Sequence, residues 1–239
     1  MKVRYLIKFS KESEIKFVGH LDLMRTIQRM MKRSGLPVEY SLGFNPHINL
    51  SLAQPLAVGI YSSGDYFDAP FEEEIPEDDI KVALNEGAPP GIRVFEVVKL
   101  RIEDSNHQKV FKSMAAIDAA KYKIKIRYKD ISLLNEEMEA MLKLKQWNIL
   151  KKSKRQENDV DIKPMIHDID YRVVENLLVI EAIVSCGSRE NLSPELVTQF
   201  VKNSTTNWDP DAFVDIKREE MYAKQENKLI PLYKFARMR

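Results

Sequence analysis

An α+β fold of two tandem ferredoxin-like subdomains, each βαββαβ, is what the pattern of this 239-residue chain predicts. Three observations carry the prediction. Short alternating segments flank longer stretches of helical periodicity, in the order strand, helix, strand, strand, helix, strand over the first hundred residues. The same order recurs after residue 120. The segment between them, 101–120, reads as a linker. The expected division is therefore 1–100, a linker over 101–120, and 121–239, a repeat of pattern rather than of residues.

Lys2 to Ser10 sets Val3, Tyr5, Ile7 and Phe9 against Lys2, Arg4 and Lys8, the alternation of a half-buried strand. From Gly19 a helix follows, with Leu23, Ile27, Met30 and Met31 at the spacing of one buried stripe. Gly35 stops it, and Leu36-Pro37 cannot continue it. Ile48 to Ala53 and Asp65 to Glu72 read as strands, and Pro76 with Glu77, Asp78 and Asp79 reads as a helix start. Pro89-Pro90-Gly91 breaks the chain before a strand over Ile92 to Leu100.

Within the linker, Lys112 to Ala120 is expected to be partly helical. Lys121 to Lys129 then alternates most strictly, Tyr122, Ile124, Ile126 and Tyr128 against five cations. Leu134, Met138, Met141 and Leu142 stripe the next helix, and Ile149 to Ser153 is a short strand. Ile162 to Tyr171 reads as a loop or a short helix. Leu177 to Ser185, apolar on both faces, is a central strand. Ser193 as N-cap, Pro194 at the first helical position and the early acid Glu195 start another helix. Phe213 to Ala223 closes the pattern as a strand, and a basic tail runs to Arg239.

Composition limits the functional classes. The hydrophobic content is 44% and the charged content 31%, the values of a globular protein, while the formal net charge is +1. Any nucleic-acid affinity must therefore come from local clustering. One cysteine, Cys186, supplies neither a disulfide framework nor the thiolates of a zinc or iron–sulfur site. The four histidines are too scattered for a metal site, so no cofactor is expected. The longest apolar segment is interrupted by Glu181, and the N-terminus begins at once with a strand; a cytoplasmic protein without a membrane segment is expected.

Clustered function points to residues 19–47. Arg25, Arg29, Lys32 and Arg33 repeat along the first helix away from its apolar stripe. The loop that follows gathers Tyr40, Ser41, Asn45 and His47 among Gly43 and Pro46. Cations on a helix beside polar groups on a loop suit phosphate or nucleotide contact; the same pattern also describes a solvated basic face beside an ordinary turn. The cationic strand faces, Lys2, Arg4 and Lys8 and then Lys121 to Lys129, suit a phosphate platform or protection of a strand from aggregation. The aromatic-rich sheet motif of RNA-recognition modules is absent.

Catalytic signals are few. His20 at the helix start and His47 in the loop suit acid–base cleavage of a phosphodiester without metal, or else a helix cap and a loop hydrogen bond. Alternation sets Asp65 and Asp68 on opposite faces of one strand, which argues against a paired-carboxylate site. There is no phosphate-binding glycine loop and no nucleophile elbow. As a stand-alone enzyme the chain reads poorly.

Three motifs, Gly19-His20-Leu21-Asp22-Leu23-Met24-Arg25, Leu36-Pro37-Val38-Glu39-Tyr40-Ser41-x-Gly43-Phe44-Asn45-Pro46-His47 and Leu50-Ser51-x-Ala53-x-Pro55-Leu56-x-Val58-Gly59, resemble the radical SAM-linked protein family. Asp161-Ile162-Lys163-Pro164-Met165 and Leu192-Ser193-Pro194-Glu195 resemble it more loosely. That family is a bacterial domain of unknown function, fused to radical SAM proteins or encoded apart from them. The resemblance implies a radical SAM enzyme as partner in trans and implies no activity. The tandem plan is also similar to that of CRISPR repeat-processing endoribonucleases, an analogy of fold alone.

The expected function is a non-catalytic, RNA- or substrate-binding partner of a radical SAM enzyme. Arg25, Arg29, Lys32 and Arg33 are its phosphate contacts, and Tyr40, Ser41, Asn45 and His47 its recognition loop. The alternatives are a metal-independent endoribonuclease using His20 and His47, and a protein–protein scaffold.

Overall fold

Alternation puts Val3, Tyr5, Ile7 and Phe9 of the first nine-residue strand, β1 (Val3–Lys11), on one buried face. The computed structural model describes residues 2–100, 112–152 and 157–239. They form a mixed α+β protein whose described strand pairs are antiparallel. The chain divides into two units, one made of Met1–Asp118 with Arg218–Arg239, the other of Ala119–Lys217.

In the first unit β1 is followed by a 3₁₀ turn, Ser13–Ile15, and by α1 (His20–Arg33). The predicted stripe holds, since Leu23, Ile27, Met30 and Met31 are the buried residues of α1. Asp22 in the first turn and Lys32 and Arg33 in the last complement its dipole. The helix ends at Ser34, and Gly35 takes φ +69°, a backbone conformation that a Cβ disfavours. Next come β2 (Ser51–Leu52), β3 (Tyr61–Phe71), α2 (Glu77–Gly87) and β4 (Val94–Leu100). Strand β1 lies between β4 and β3, with Leu6 opposite both Val98 and Asp68; β2 pairs with β3 through Ser51 and Leu52.

One face of this sheet packs under α1 and α2. Val3, Tyr5, Ile7 and Phe9 meet Ile27, Met30, Ile80 and Leu84 in a common core. Each such side chain contributes about 1.5–3 kcal/mol on burial. The other face is covered as well. The C-terminal residues, read from sequence as a basic tail, form β11 (Lys228–Pro231) and α6 (Leu232–Arg237), and α6 packs on β1 and β4 with Leu232 and Phe235 buried. A short helix, α3 (Ser113–Ala116), packs on β3. The expected linker thus contains α3, while residues 101–111 lie outside the described residues.

The second unit opens with β5 (Ala119–Arg127), then α4 (Leu134–Lys143), the hairpin β6 (Asn148–Lys152) and β7 (Glu157–Asp161), and a 3₁₀ turn, Lys163–Met165. The segment expected as a loop or short helix is mostly strand β8 (Ile166–Val174). It pairs with β9 (Leu177–Ser185), which lies between β8 and β5 and is the expected central strand. Helix α5 (Pro194–Ser204) has Ser193 at its N-cap and Pro194 at its first position, as its sequence predicts. Strand β8 is hard to see in sequence because its side chains alternate between half-buried and exposed, with no fully buried apolar set.

Strand β10 (Asp215–Gln225) neighbours β3, and the unit boundary falls within it, at Lys217. The expected second subdomain, 121–239, therefore differs from the observed unit at its C-terminal end. Arg218, Met221, Ala223 and Leu232 are almost completely buried, and Arg218–Arg239 counts with the first unit.

Candidate functional site

The first helix and the loop after it place the predicted residues in the first unit. The loop is a small ladder. Val38 bridges to Phe71 and Tyr40 to Ile48, and the Asn49 amide donates to the Glu39 carbonyl at 3.0 Å. Inside this frame Ser41 and His47 clasp each other. The Ser41 amide donates to the His47 carbonyl at 2.8 Å, the His47 amide donates to Ser41 Oγ at 3.1 Å, and that hydroxyl meets His47 Nδ1 at 2.9 Å. The five residues between them project into solvent, among them Asn45. Leu42 and Phe44 are about as exposed as in an extended chain, at 101% and 110%. Gln28 on α1 donates to the Ile48 carbonyl at 3.3 Å and so ties the helix to the base of the loop.

The four helix cations do not act alike. Arg25 pairs with Asp22 at 3.0 Å on its own helix. Arg33 donates two hydrogen bonds to the Gly87 carbonyl, at 3.0 and 2.6 Å, and neutralises the C-terminal end of α2. Arg29 and Lys32 are exposed and have no ion-pair or hydrogen-bond partner among the described residues. The expected row of four is in effect two free charges.

His20 and His47 occupy separate surroundings. His20 is half-buried at the start of α1, its Nδ1 enclosed without a hydrogen-bond partner among the described residues. His47 is exposed, its Nδ1 held by Ser41. Asp65 and Asp68, read as separated by alternation, take different partners.

Most of the strand cations are paired with carboxylates of their own units, while Arg127 donates to Asn176 Oδ1 at 3.4 Å. Lys8 donates to Glu220 at 2.6 Å, Lys2 to Glu39 at 3.1 Å, and Arg4 lies 3.7 Å from Asp68. In the second unit Glu181 on β9 collects Lys121 at 2.8 Å, Lys123 at 3.2 Å and Arg172 at 3.5 Å. Hydrogen bonds from Lys121 and Lys123 hold its carboxyl down to about 2. Lys125 pairs with Asp215, and Lys129 with Asp209 and Asp211. Such faces carry little free positive charge for a phosphate backbone.

A group of buried charges in the first unit escaped the sequence reading. Arg218 is fully buried and binds Asp65 Oδ1 through Nε at 2.9 Å and a second guanidinium nitrogen at 2.7 Å. The same guanidinium donates to the carbonyls of Gln54 and Pro55, which fixes the chain between β2 and β3. Lys11, 1% exposed, donates to the Lys16 carbonyl at 2.8 Å. Burial lowers its pKa; Asp65 opposes that shift and Arg218 adds to it. Tyr66 donates to Glu220 at 2.6 Å, and burial with that carboxylate pushes its hydroxyl pKa far up. Asp68 accepts two bonds from Ser113, at 2.7 and 3.2 Å, and burial raises its pKa. Nothing local in sequence announces these pairs, because Asp65 and Arg218 are 153 residues apart. Among the described residues no group of three or more His, Cys, Asp or Glu could hold a metal, and no helix is long and apolar enough to cross a membrane.

Comparison with known proteins gives a family and little else. Residues 4–194 match the profile of a family described as uncharacterized protein conserved in bacteria (DUF2344). No curated protein matches the chain. Among solved structures, a chain of a Cbf5-Nop10-Gar1 complex is similar with 8% identity and a TM-score of 0.48, over 93% of this chain and 50% of that one. This chain thus spans about half the length of that one. An unknown protein from Galdieria sulphuraria is similar with 13% identity and a TM-score of 0.25, over 92% of this chain and 98% of that one.

Proposed function

The chain belongs to the bacterial family DUF2344, and on that premise we propose that it is a non-catalytic binding partner, in trans, of a radical SAM enzyme. We read its architecture as two tandem ferredoxin-like subdomains. In the first unit β4, β1, β3 and β2 neighbour one another in that order, the 4-1-3-2 arrangement of a βαββαβ unit. In the second, β5, β9 and β8 follow the corresponding 1-3-2 order, with the β6–β7 hairpin inserted after the first helix.

The observation that carries the binding role is the loop. It is held at its base by the Ser41–His47 clasp, yet offers Leu42 and Phe44 wholly to water. A preformed loop with an apolar tip spends little ordering entropy on association, and burying each tip side chain is worth about 1.5–3 kcal/mol. The partner itself is supported by the family resemblance of the motifs over residues 19–59. Co-expression with the radical SAM enzyme encoded in the same genome tests the pairing. The expected result is stable co-purification that Phe44→Asp abolishes; separate elution of the two wild-type proteins would refute it.

The free charges Arg29 and Lys32 favour a second reading, in which the same surface contacts RNA. Crosslinking and sequencing of bound RNA, with an Arg29→Ala/Lys32→Ala control, tests it. Arg33 is unsuited as a control, because its loss would strip the end of α2.

A further inference from the structure

We propose that Leu42 and Phe44 at the loop tip, with Arg29 and Lys32 on α1, dock an acidic protein segment that carries an apolar side chain. The proposal rests on the reading of this loop and helix as the recognition surface, and it names the chemistry of what they recognise. Placement comes first. Gln28 touches the base of the loop through the Ile48 carbonyl, so the line of α1 that includes Gln28 faces the loop. Lys32 lies one turn along that line, and Arg29, three residues before Lys32, is its neighbour on the helix surface. Leu21 lies two turns the other way and is 65% exposed. The surface thus combines unpaired positive charge with exposed apolar side chains.

Charge complementarity selects the occupant. Lysines on the strands face carboxylates instead of solvent: Lys8 meets Glu220, Lys121 and Lys123 meet Glu181, and Lys125 meets Asp215. Two free cations displace about two counterions from a single strand, a salt slope of about −1.4, which is little for an RNA site. Two apolar side chains buried in a protein partner are each worth about ten- to a hundredfold in affinity. Carboxylates opposite Arg29 and Lys32 then supply orientation and rejection of basic partners. The apolar pair carries the affinity and the cations carry the specificity.

Selection of a random displayed peptide library on the full-length protein tests this directly. The expected winners join Asp or Glu to a large apolar residue. Leu42→Asp/Phe44→Asp should weaken them at least about tenfold. Arg29→Glu/Lys32→Glu should convert the preference to basic apolar peptides, a gain that misfolding cannot produce. Enrichment without acidic residues, enrichment indifferent to Arg29→Glu/Lys32→Glu, or no enrichment overturns the proposal. So does tight binding of a mixed-sequence single-stranded RNA that Phe44→Asp abolishes, or a dimer in sedimentation that Leu42→Asp/Phe44→Asp dissociates. The selection does not involve the radical SAM enzyme, so failure of that pairing and failure of this chemistry are separate results.

Discussion

At the scale of single residues, the buried ion pair between Arg218 and Asp65 dominates the first unit. A guanidinium with both bonding nitrogens on one carboxylate oxygen, and two further carbonyls as acceptors, satisfies a charge that would otherwise be prohibitive in the interior. Arg218→Ala leaves Asp65 buried without its cation and should cost about 3–5 kcal/mol in urea unfolding. A loss below about 1 kcal/mol would mean that Lys11 or water replaces the pair. In the second unit Glu181 has its folded pKa depressed to about 2 from an ordinary 4.5. Its contribution is therefore fully present above pH 4.5 and is lost as pH falls from about 4.5 to about 2. Glu181→Gln should flatten the stability profile across that window, and an unchanged profile would remove Glu181 as its cause.

Among the elements, the loop between α1 and β2 depends on its clasp. Ser41→Ala removes both contacts of the hydroxyl with His47 while leaving the Ser41 amide bond and the outer ladder at Tyr40 and Asn49. Global stability should shift by no more than about 1 kcal/mol, since the site is at the surface. Amide exchange at His47, whose N–H donates to Ser41 Oγ, should accelerate by contrast, and affinity for the proposed partner should fall with it, because ordering is then required on association. Exchange that stays slow in Ser41→Ala would show that the backbone ladder alone shapes the loop. Helix α1 itself was legible in the sequence down to its stop. Its basic face was legible in composition but not in effect: Arg25 pairs within the helix through Asp22, whereas Arg33 turns to Gly87, 54 residues away.

For the molecule as a whole, the last residues matter more than their sequence suggests. Residues 218–239 bring Arg218, Met221, Ala223 and Leu232 into the first unit, all almost fully buried. Glycine at position 64 admits them, since a Cβ there would lie 2.3 Å from the Glu219 carbonyl oxygen. Truncation after Lys217 strands Asp65 and forfeits about 1.5–3 kcal/mol for each of Met221 and Leu232. Those losses rival the whole stability of a typical domain, about 5–15 kcal/mol. The truncated chain should lose protease protection over residues 2–100, and retained protection there would refute the dependence.

What the sequence determined by itself was local. Hydrophobic periodicity specified α1, β1 and β5, continuous apolarity specified β9, and the residue types at the termini placed the start of α5 and the end of α1, because these preferences act within a few residues. The tertiary structure decided which charges are free. Lysines on a strand read alike whether they face water or a carboxylate, and only the register, such as Lys123 opposite Glu181, tells the two apart. It also decided where the C-terminal segment belongs, since the affinity of a buried arginine for an aspartate 153 positions earlier leaves no trace in local pattern.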